Sequence, residues 1–274
     1  MIVFVLFALI YFIFCTLFFE VIQKPFFGLY NRHVNAERTT AKDVIQVYSH
    51  GLVSDFIIAS YLTALPLIIS AVHTLLPCFN AAVVLTVYNI VISLAIGLIC
   101  VSDTLLYKFW NYKLDSVFVY LRSLKGAFAS VSAGYLVAAF SVAFIVAGIF
   151  FAGAQTITAC VSATLLDGTW MVWWKSLLTF FIFIVAAGCL FVIIRGLKIR
   201  PNNPSVVYYS KNPFFNHWAL NPAYNLIYSL GTKDEFKGKF RFFDDKECNE
   251  MTDRLFPTAG HPTRKLLKTE RPNI

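Results

Sequence analysis

The chain has 274 residues, of which 58% are hydrophobic and only 14% are charged, so it is far more apolar than an ordinary soluble domain. This composition argues against a water-soluble enzyme and predicts a polytopic membrane protein. The formal net charge is +8, and residues 195–274 hold 14 Lys and Arg against 8 Asp and Glu. That basic part is either a solvated surface or a partner for anionic headgroups and phosphate.

Uncharged runs predict an all-α integral membrane fold with about five transmembrane helices. The first helix, residues 2–22, has the length that a bilayer core requires, and Glu20 and Lys24 close it. A cleaved signal peptide is the alternative. It is disfavoured because no basic residue precedes the run and no small-residue cleavage pattern follows it.

The next two helices come from one long run without charge. Between Asp55 and Asp103 there are 47 uncharged residues, which suffice for two spans if a turn divides them. The predicted helices run from about 54 to 76 and from about 80 to 102. Pro66 predicts a kink in the first of them.

Charged and aromatic residues are mixed in the stretch that follows, a composition typical of the headgroup layer. The stretch predicts a short interfacial helix. Its candidate lipid headgroup contacts are Tyr107, Trp110, Lys113, Asp115 and Arg122, which combine cations for phosphate with aromatic rings for interfacial depth. A plain interfacial anchor is the alternative interpretation of the same residues.

Two further apolar runs predict a fourth helix at about 131–153 and a fifth at about 176–195. The beginning of the fourth run is rich in small residues, which would let this helix approach a neighbour closely, within one chain or between chains. These residues are Ser130, Ser132, Ala133, Gly134, Ala138 and Ala139.

Residues 201–274 form a polar, α-helical linker. Asn221 and Pro222 begin a helix that ends at Gly231, and a second helix is predicted from about Asp245 to Phe256. The linker has too few apolar residues to build a core of its own, so we expect it to pack on something else.

Titratable residues near the membrane are candidates for function. His50 and Asp55 lie at the mouth of the second helix and form a candidate polar site, although residues five apart point in different directions on one helix. Asp55 could instead cap a helix or pair with an interfacial Lys. His73 is interpreted as a hydrogen-bonded structural histidine rather than a proton relay.

The sequence contains no recognisable metal, cofactor or catalytic motif. The five histidines are scattered without the spacing of a zinc site, and the six cysteines predict no disulfide framework. Neither a phosphate-binding glycine loop nor a nucleophile with a base can be identified. We therefore predict no catalytic, cofactor or metal residues in this chain.

Several segments carry a family resemblance. They are QKPFFGLYN at 23–31, HGLVSD at 50–55, YLTALP at 61–66, YKFW at 107–110, LD at 114–115, AFASVS at 127–132, SKNPFFNH at 210–217, NP at 221–222 and KTERPNI at 268–274. In these segments the chain resembles the membrane region of lipoteichoic acid synthase-like proteins of the sulfatase superfamily. The last segment is similar to the lead-in to the first core strand of a sulfatase domain.

The resemblance implies a phosphoglycerol or phosphoethanolamine transferase with five membrane helices and an extracytoplasmic α/β domain. That domain would hold a Thr nucleophile and a divalent metal (Mn, Mg or Zn), and none of its ligands has a matching position here. The chain is then expected to be an anchor fragment. Residues 1–200 would form the membrane domain in the inner (cytoplasmic) membrane, and residues 201–274 would lead to the missing domain. Membrane lipids, that domain and a second copy of the chain are the expected partners, and nucleic acid is not.

The charge distribution and the resemblance disagree on topology. The positive-inside rule would place the basic linker in the cytoplasm, whereas the resemblance places it outside, and we follow the resemblance. The alternative function is a non-enzymatic polytopic membrane protein, transporter-like or an interaction scaffold. A transporter would be expected to carry charges inside its spans and internal repeats, and the apolar runs have neither.

Overall fold

The computed structural model describes residues 2–35, 38–75, 80–116, 132–165, 173–197, 199, 201–232 and 243–255. These residues form helices, turns and irregular connections, with no strand among them. The helices are α1 (Ile2–Phe18), α2 (Lys24–Asn31), α3 (Ala41–Leu75), α4 (Ala81–Trp110), α5 (Ala133–Leu165), α6 (Trp173–Arg195), α7 (Pro213–Ala219), α8 (Pro222–Thr232) and α9 (Asp245–Leu255). A π-helical turn at Phe19–Gln23 joins α1 to α2, and a 3₁₀ turn covers Pro204–Val207. The chain divides into two compact units, Met1–Gly231 and Thr232–Ile274.

Four helical segments of the described chain are long and apolar enough to cross a membrane. They are Leu6–Asn31, Ala41–His73, Ala81–Trp110 and Ala133–Val161, and a further apolar helix, Phe180–Arg195, is shorter. The all-helical class expected from the sequence is thus confirmed. The insertion of these helices into a membrane, and the crossing by a fifth helix, stay predictions.

Two helices at the N-terminal side are longer than the predicted spans. The first does not end near residue 22, because the π-helical turn carries it into α2 as far as Asn31. The second begins at Ala41 rather than near residue 54. Its start is a capping box, in which the Thr40 amide donates to Asp43 (2.8 Å) and the Asp43 amide donates to the Thr40 hydroxyl (3.3 Å).

The third and fourth helices also continue beyond their predicted ends, to Trp110 and Leu165 rather than about 102 and 153. The prediction ended the third helix at a charge, Asp103, but this carboxylate is buried and paired inside the helix. The helix ends instead at Asn111, whose backbone is left-handed (φ 52°) and whose amide donates to the Tyr107 carbonyl. The stretch that predicts a short interfacial helix begins within α4, and its residues 117–126 lie outside the described residues.

Helices α4 and α5 pack closely at Gly97. A Cβ atom on Gly97 would lie 2.5 Å from the Ala143 carbonyl oxygen and 2.8 Å from the Ala147 Cβ, so only glycine fits there. The small residues predicted to make this contact lie earlier on α5. Of those six, Ser132, Ala133, Gly134 and Ala138 are exposed, Ala139 is half-buried and Ser130 lies outside the described residues. The close contact within the chain, at Ala143 and Ala147, therefore lies at least one turn further along α5 than predicted.

A buried polar network joins α1, α4 and α5 within the apolar part of the bundle. The Tyr11 hydroxyl donates to Asn89 (3.0 Å), the Asn89 amide donates to Gln155 (3.1 Å), and the Gln155 amide donates to Thr86 (2.9 Å). Polar partners between apolar helices fix their relative register, because a mismatched register would leave these groups unpaired.

The chain reverses direction after α6. Gly196 adopts a left-handed backbone (φ 78°), and the Asn202 side chain then donates to the carbonyl oxygens of Ile193 and Ile194 at 3.2 and 3.3 Å. These bonds satisfy carbonyls that the last turn of a helix leaves free. The following residues are thereby directed back towards the helix ends.

The two helices predicted in the linker are confirmed within one or two residues. Helix α8 begins at Pro222, after Asn221, and continues through Gly231 to Thr232. In the second unit, α9 runs over Asp245–Leu255, and the Asp244 carbonyl accepts the Cys248 amide at its start.

Candidate functional site

The π-helical turn brings an acid and a base together at the end of the first apolar helix. Glu20 and Lys24 are four residues apart, and the Lys24 Nζ lies 2.5 Å from the Glu20 carboxylate. Lys24 is fully buried and Glu20 is 8% exposed. A π-helical turn is rare in helices and occurs frequently at functional sites.

The same ammonium group also pairs with Asp55 of α3, a fully buried carboxylate. The Lys24 stem crosses α3 at Gly51, where a Cβ atom would lie 2.6 Å from Nζ and 2.6 Å from the Ala219 carbonyl oxygen. The Tyr48 ring centroid lies 5.7 Å from Nζ. We call Glu20, Lys24 and Asp55 the Lys24 cluster, in which two carboxylates share one ammonium.

Asn221 connects the Lys24 cluster to the linker. Its side-chain amide donates to Asp55 (2.7 Å), and its backbone amide donates to the Ser54 hydroxyl (3.1 Å). Its side-chain oxygen accepts the amides of Ala223 and Tyr224, which caps α8. One residue therefore starts a helix of the linker and completes the shell around a buried carboxylate.

Trp218 fixes the preceding turn of the linker on α2. Its indole Nε1 donates to the Lys24 carbonyl oxygen (2.8 Å), and its ring covers Gly28 so closely that no Cβ atom would fit between them. The packing buries Trp218 to 8% exposure. A carbonyl next to the charge cluster is thus satisfied by the linker.

A second buried ion pair lies at the end of α4. After Asn111 the chain turns back, so that the Lys113 Nζ lies 2.5 Å from the Asp103 carboxylate and the Leu114 amide donates to the same carboxylate (2.9 Å). The ammonium also lies 4.3 Å from the centroid of the Phe27 ring. We call Asp103 and Lys113 the Lys113 cluster.

The linker also contacts the chain around the Lys113 cluster. The Asn225 amide donates to the Leu114 carbonyl oxygen (2.9 Å), and the Ser116 amide donates to the Ser229 hydroxyl (2.9 Å). Residues 204–231 are therefore held on the ends of α2, α3 and α4 by buried or partly buried hydrogen bonds. We call these residues the docked segment.

His217 of the docked segment lies beside Tyr107, whose hydroxyl is 3.0 Å from the His217 Nδ1. Burial lowers the pKa of His217 to about 4, and the nearby Lys113 ammonium acts in the same direction. The imidazole is therefore neutral near pH 7. It serves as a hydrogen-bonding partner in this contact and carries no charge towards a ligand.

The residues predicted to contact lipid headgroups do not lie together on one exposed surface. Tyr107 and Lys113 are buried, Trp110 is 43% exposed and Asp115 is half-buried. Arg122 lies outside the described residues. Lys113 is paired with Asp103, and contact of the five residues with lipid headgroups stays a prediction.

The two residues of the predicted membrane-mouth site point in different directions. Asp55 is buried in the Lys24 cluster, in the pairing with a Lys that the sequence offered as an alternative. His50 is exposed, contacts the Gln46 carbonyl through Nδ1 (2.9 Å) and stacks on the Tyr209 ring at a centroid distance of 4.3 Å.

Sequence reasoning missed Glu20, Lys24 and Asp103 as members of buried clusters and Asn221 as a hydrogen-bonding partner of Asp55. The i, i+4 spacing of Glu20 and Lys24 in the sequence does indicate an ion pair on one helix. The partners from α3 and the docked segment had no such signal, since they lie 31 and 197 residues away from Lys24 along the chain.

The described part of the chain contains no group of three His, Cys, Asp or Glu side chains that could hold a metal ion. The buried charged side chains of the described residues are paired in the two clusters, an arrangement that fixes chain segments to each other. Comparisons with family models, with curated proteins and with solved structures find no match to this chain.

Proposed function

We propose that this chain is the membrane anchor of a sulfatase-superfamily phosphotransferase, similar to lipoteichoic acid synthase. The enzyme would act on lipid-linked phosphoglycerol or phosphoethanolamine at the cell envelope. The observation that supports the proposal is the docked segment, which is fixed to the helix ends at both charge clusters. A domain that continues from this segment would leave the helices at a defined place.

A fixed point at which the chain leaves the helices suits chemistry at a membrane surface. A flexible linker only raises the local concentration of a domain, whereas a fixed one also orients it, and orientation contributes strongly to rate. Asn221 holds the docked segment at a buried site. Without its side-chain amide, the buried Asp55 would lose a hydrogen bond in a region shielded from water, and that loss would cost stability. A linker that merely spaced two domains would not need buried partners.

In this proposal five helices cross the inner membrane. Helix α6 has 23 residues, and a helix of that length spans about 34 Å, enough for the bilayer core. An odd number of spans puts the start of α1 and the docked segment on opposite sides. The docked segment would be extracytoplasmic, as in the family that the chain resembles, although the positive-inside rule favours the reverse.

The reacting groups would come from the domain that follows. The resemblance implies a Thr nucleophile and a divalent metal (Mn, Mg or Zn) there. The residues of this chain would hold that domain at the level of the lipid headgroups. They would also form the lipid-facing wall of the active site of that domain.

DNA sequencing of the encoding reading frame past codon 274 tests the proposal. We expect the frame to continue into a segment with an apolar strand, an acidic metal ligand and a downstream Thr. A stop codon directly after Ile274 in an intact gene would reject the enzyme-anchor function. It would favour a membrane interaction protein that acts without a catalytic domain.

A further inference from the structure

Glu20 and Asp55 lie side by side in the Lys24 cluster. The Lys24 ammonium donates to both carboxyl groups, and the two carboxyl groups also hydrogen-bond to each other. A hydrogen bond between two carboxyl groups requires a proton on one of them, because ionised carboxylates are acceptors only. The contact therefore requires one proton in addition to those of the ammonium group.

The other partners of each carboxyl group indicate which one carries that proton. Asp55 accepts hydrogen bonds from Lys24 and from the Asn221 side-chain amide (2.7 Å), and both donors favour its ionised form. Glu20 accepts from Lys24 through one oxygen (2.5 Å), which leaves its second oxygen as the O–H donor to Asp55. With the proton on Glu20 the cluster contains one ammonium and one carboxylate. It is then electrically neutral, the least costly state for groups removed from water.

The neighbouring elements add no charge that would replace this proton. Within the described residues, the titratable groups that face the cluster from α3 and α4 are Tyr48 and Cys100. A phenol and a thiol are both neutral near pH 7. Cys100 also faces the Lys113 cluster, whose acid and base cancel in charge. The docked segment contributes the Asn221 amide, which does not titrate.

Glu20 is the carboxyl group of the pair that reaches the outside of the bundle. It lines an open groove of about 500 Å³, and 11% of its side chain is accessible, whereas Asp55 is fully buried. The rest of the groove wall is almost entirely apolar. Its other lining residues are Val44, Ile45, Tyr48, Ser49 and Leu52. A proton on Glu20 can therefore exchange through the groove while the helices stay packed.

We propose that the Lys24 cluster is a proton-binding site, in which Glu20 holds the proton and donates a hydrogen bond to the Asp55 carboxylate. Release of the proton adds one negative charge to the cluster. The Asn221 amide then donates to a more negative partner, so proton release strengthens this contact of the docked segment. By linkage, the docked segment weakens the hold of the cluster on its proton. The inference uses only the cluster, the groove and the docked segment, and it stands whether or not a catalytic domain follows.

Infrared spectroscopy of the purified 274-residue chain in detergent tests the proton directly, because a protonated carboxyl group has a C=O stretching band that a carboxylate lacks. We expect a carboxylic-acid band at mildly acidic pH that disappears reversibly at alkaline pH. Glu20→Gln should remove this band, and the matched control Glu250→Gln, at an exposed position of α9, should keep it. The Gln side chain can accept from Lys24 and donate to Asp55 as the protonated acid does, so this variant should fold. A band that Glu20→Gln leaves unchanged, or no such band in the unmodified chain, would overturn the proposal.

Asn221→Ala tests the link to the docked segment. Without the amide donor Asp55 becomes a stronger base, so the carboxylic-acid band should persist to higher pH than in the unmodified chain. The matched control is Asn225→Ala, which removes an amide that donates to the Leu114 carbonyl oxygen and not to the cluster. It should leave the pH profile of the band in place. Equal profiles for the two variants would contradict the link.

Labelling with dicyclohexylcarbodiimide tests the groove, because this apolar reagent adds the O–H of a protonated carboxyl group across its C=N bond. We expect Glu20 to be labelled at mildly acidic pH, as located by peptide mass spectrometry. Ile45→Trp, at a groove position that is 68% exposed, should slow the labelling, and Val91→Trp, at a position of α4 that is 59% exposed, should not. An infrared band without labelling of Glu20 would refute exchange through the groove. A reading frame that closes after codon 274 would refute the transferase and leave the outcomes of these three experiments unchanged.

Discussion

Removal of the Lys24 ammonium should strongly destabilise the helical unit. In Lys24→Met the apolar stem is retained, but Glu20 and Asp55 lose their shared counter-charge, and Asp55 is fully buried. Breaking a buried ion pair by removing one partner costs about 3–5 kcal/mol, since the remaining charge is left desolvated. The expected fall in the midpoint of thermal unfolding is on the order of 10 °C.

Unfolding of the purified chain in detergent, followed by circular dichroism, measures this effect. The control is Lys108→Met, because Lys108 is exposed and belongs to neither cluster. The double variant Lys24→Met with Asp55→Asn removes one of the two stranded carboxyl groups and should recover part of the lost stability. If Lys24→Met destabilises no more than Lys108→Met, the Lys24 cluster does not hold the helices together.

Three further predictions concern the same unfolding assay. Lys113→Met should cost about 3 kcal/mol or more because Asp103 is buried, and a cost equal to that of Lys108→Met would contradict the Lys113 cluster. Gly97→Ala should destabilise because its Cβ would meet the Ala143 carbonyl, whereas Gly148→Ala, in open space on α5, should stabilise by about 0.5–1 kcal/mol. The reverse order of these two variants would refute the close packing of α4 on α5. His217 has a folded pKa of about 4 against an ordinary value of 6.5, so the unfolded chain binds the proton more readily and stability should fall as the pH drops from 6.5 to 4. His217→Gln should flatten that profile and the exposed control His50→Gln should not; a parallel loss of slope in both would contradict the assignment.

The helices could be predicted because apolar runs and capping residues are local signals. Asn221 and Pro222 correctly indicated the start of α8, and the uncharged runs correctly indicated four long apolar helices. The errors arose where a charge was taken as a helix end. Glu20, Lys24 and Asp103 lie within continuous helical turns because each charge has a buried partner, and a hydropathy pattern does not report pairing.

The candidate site was less predictable than the fold for a physical reason. Asp55 was identified as unusual, but its partners come from α2 and from the docked segment, and their proximity depends on how helices pack. The π-helical turn that aims Lys24 at Asp55 has no simple sequence signature. Long-range contacts of this kind are set by tertiary packing, which single-sequence periodicity does not encode.

We propose above that these helices anchor an enzyme that transfers a phosphate-linked headgroup from a lipid. The most direct test reconstitutes the product of the complete reading frame in vesicles with acyl-chain-labelled phosphatidylglycerol or phosphatidylethanolamine, a hydroxyl-bearing acceptor and a divalent metal, and measures the release of diacylglycerol. The account predicts diacylglycerol release from one of the two lipids, and less release when Asn221→Ala loosens the docked segment. A protein that inserts into the vesicles but releases diacylglycerol from neither lipid would contradict the account.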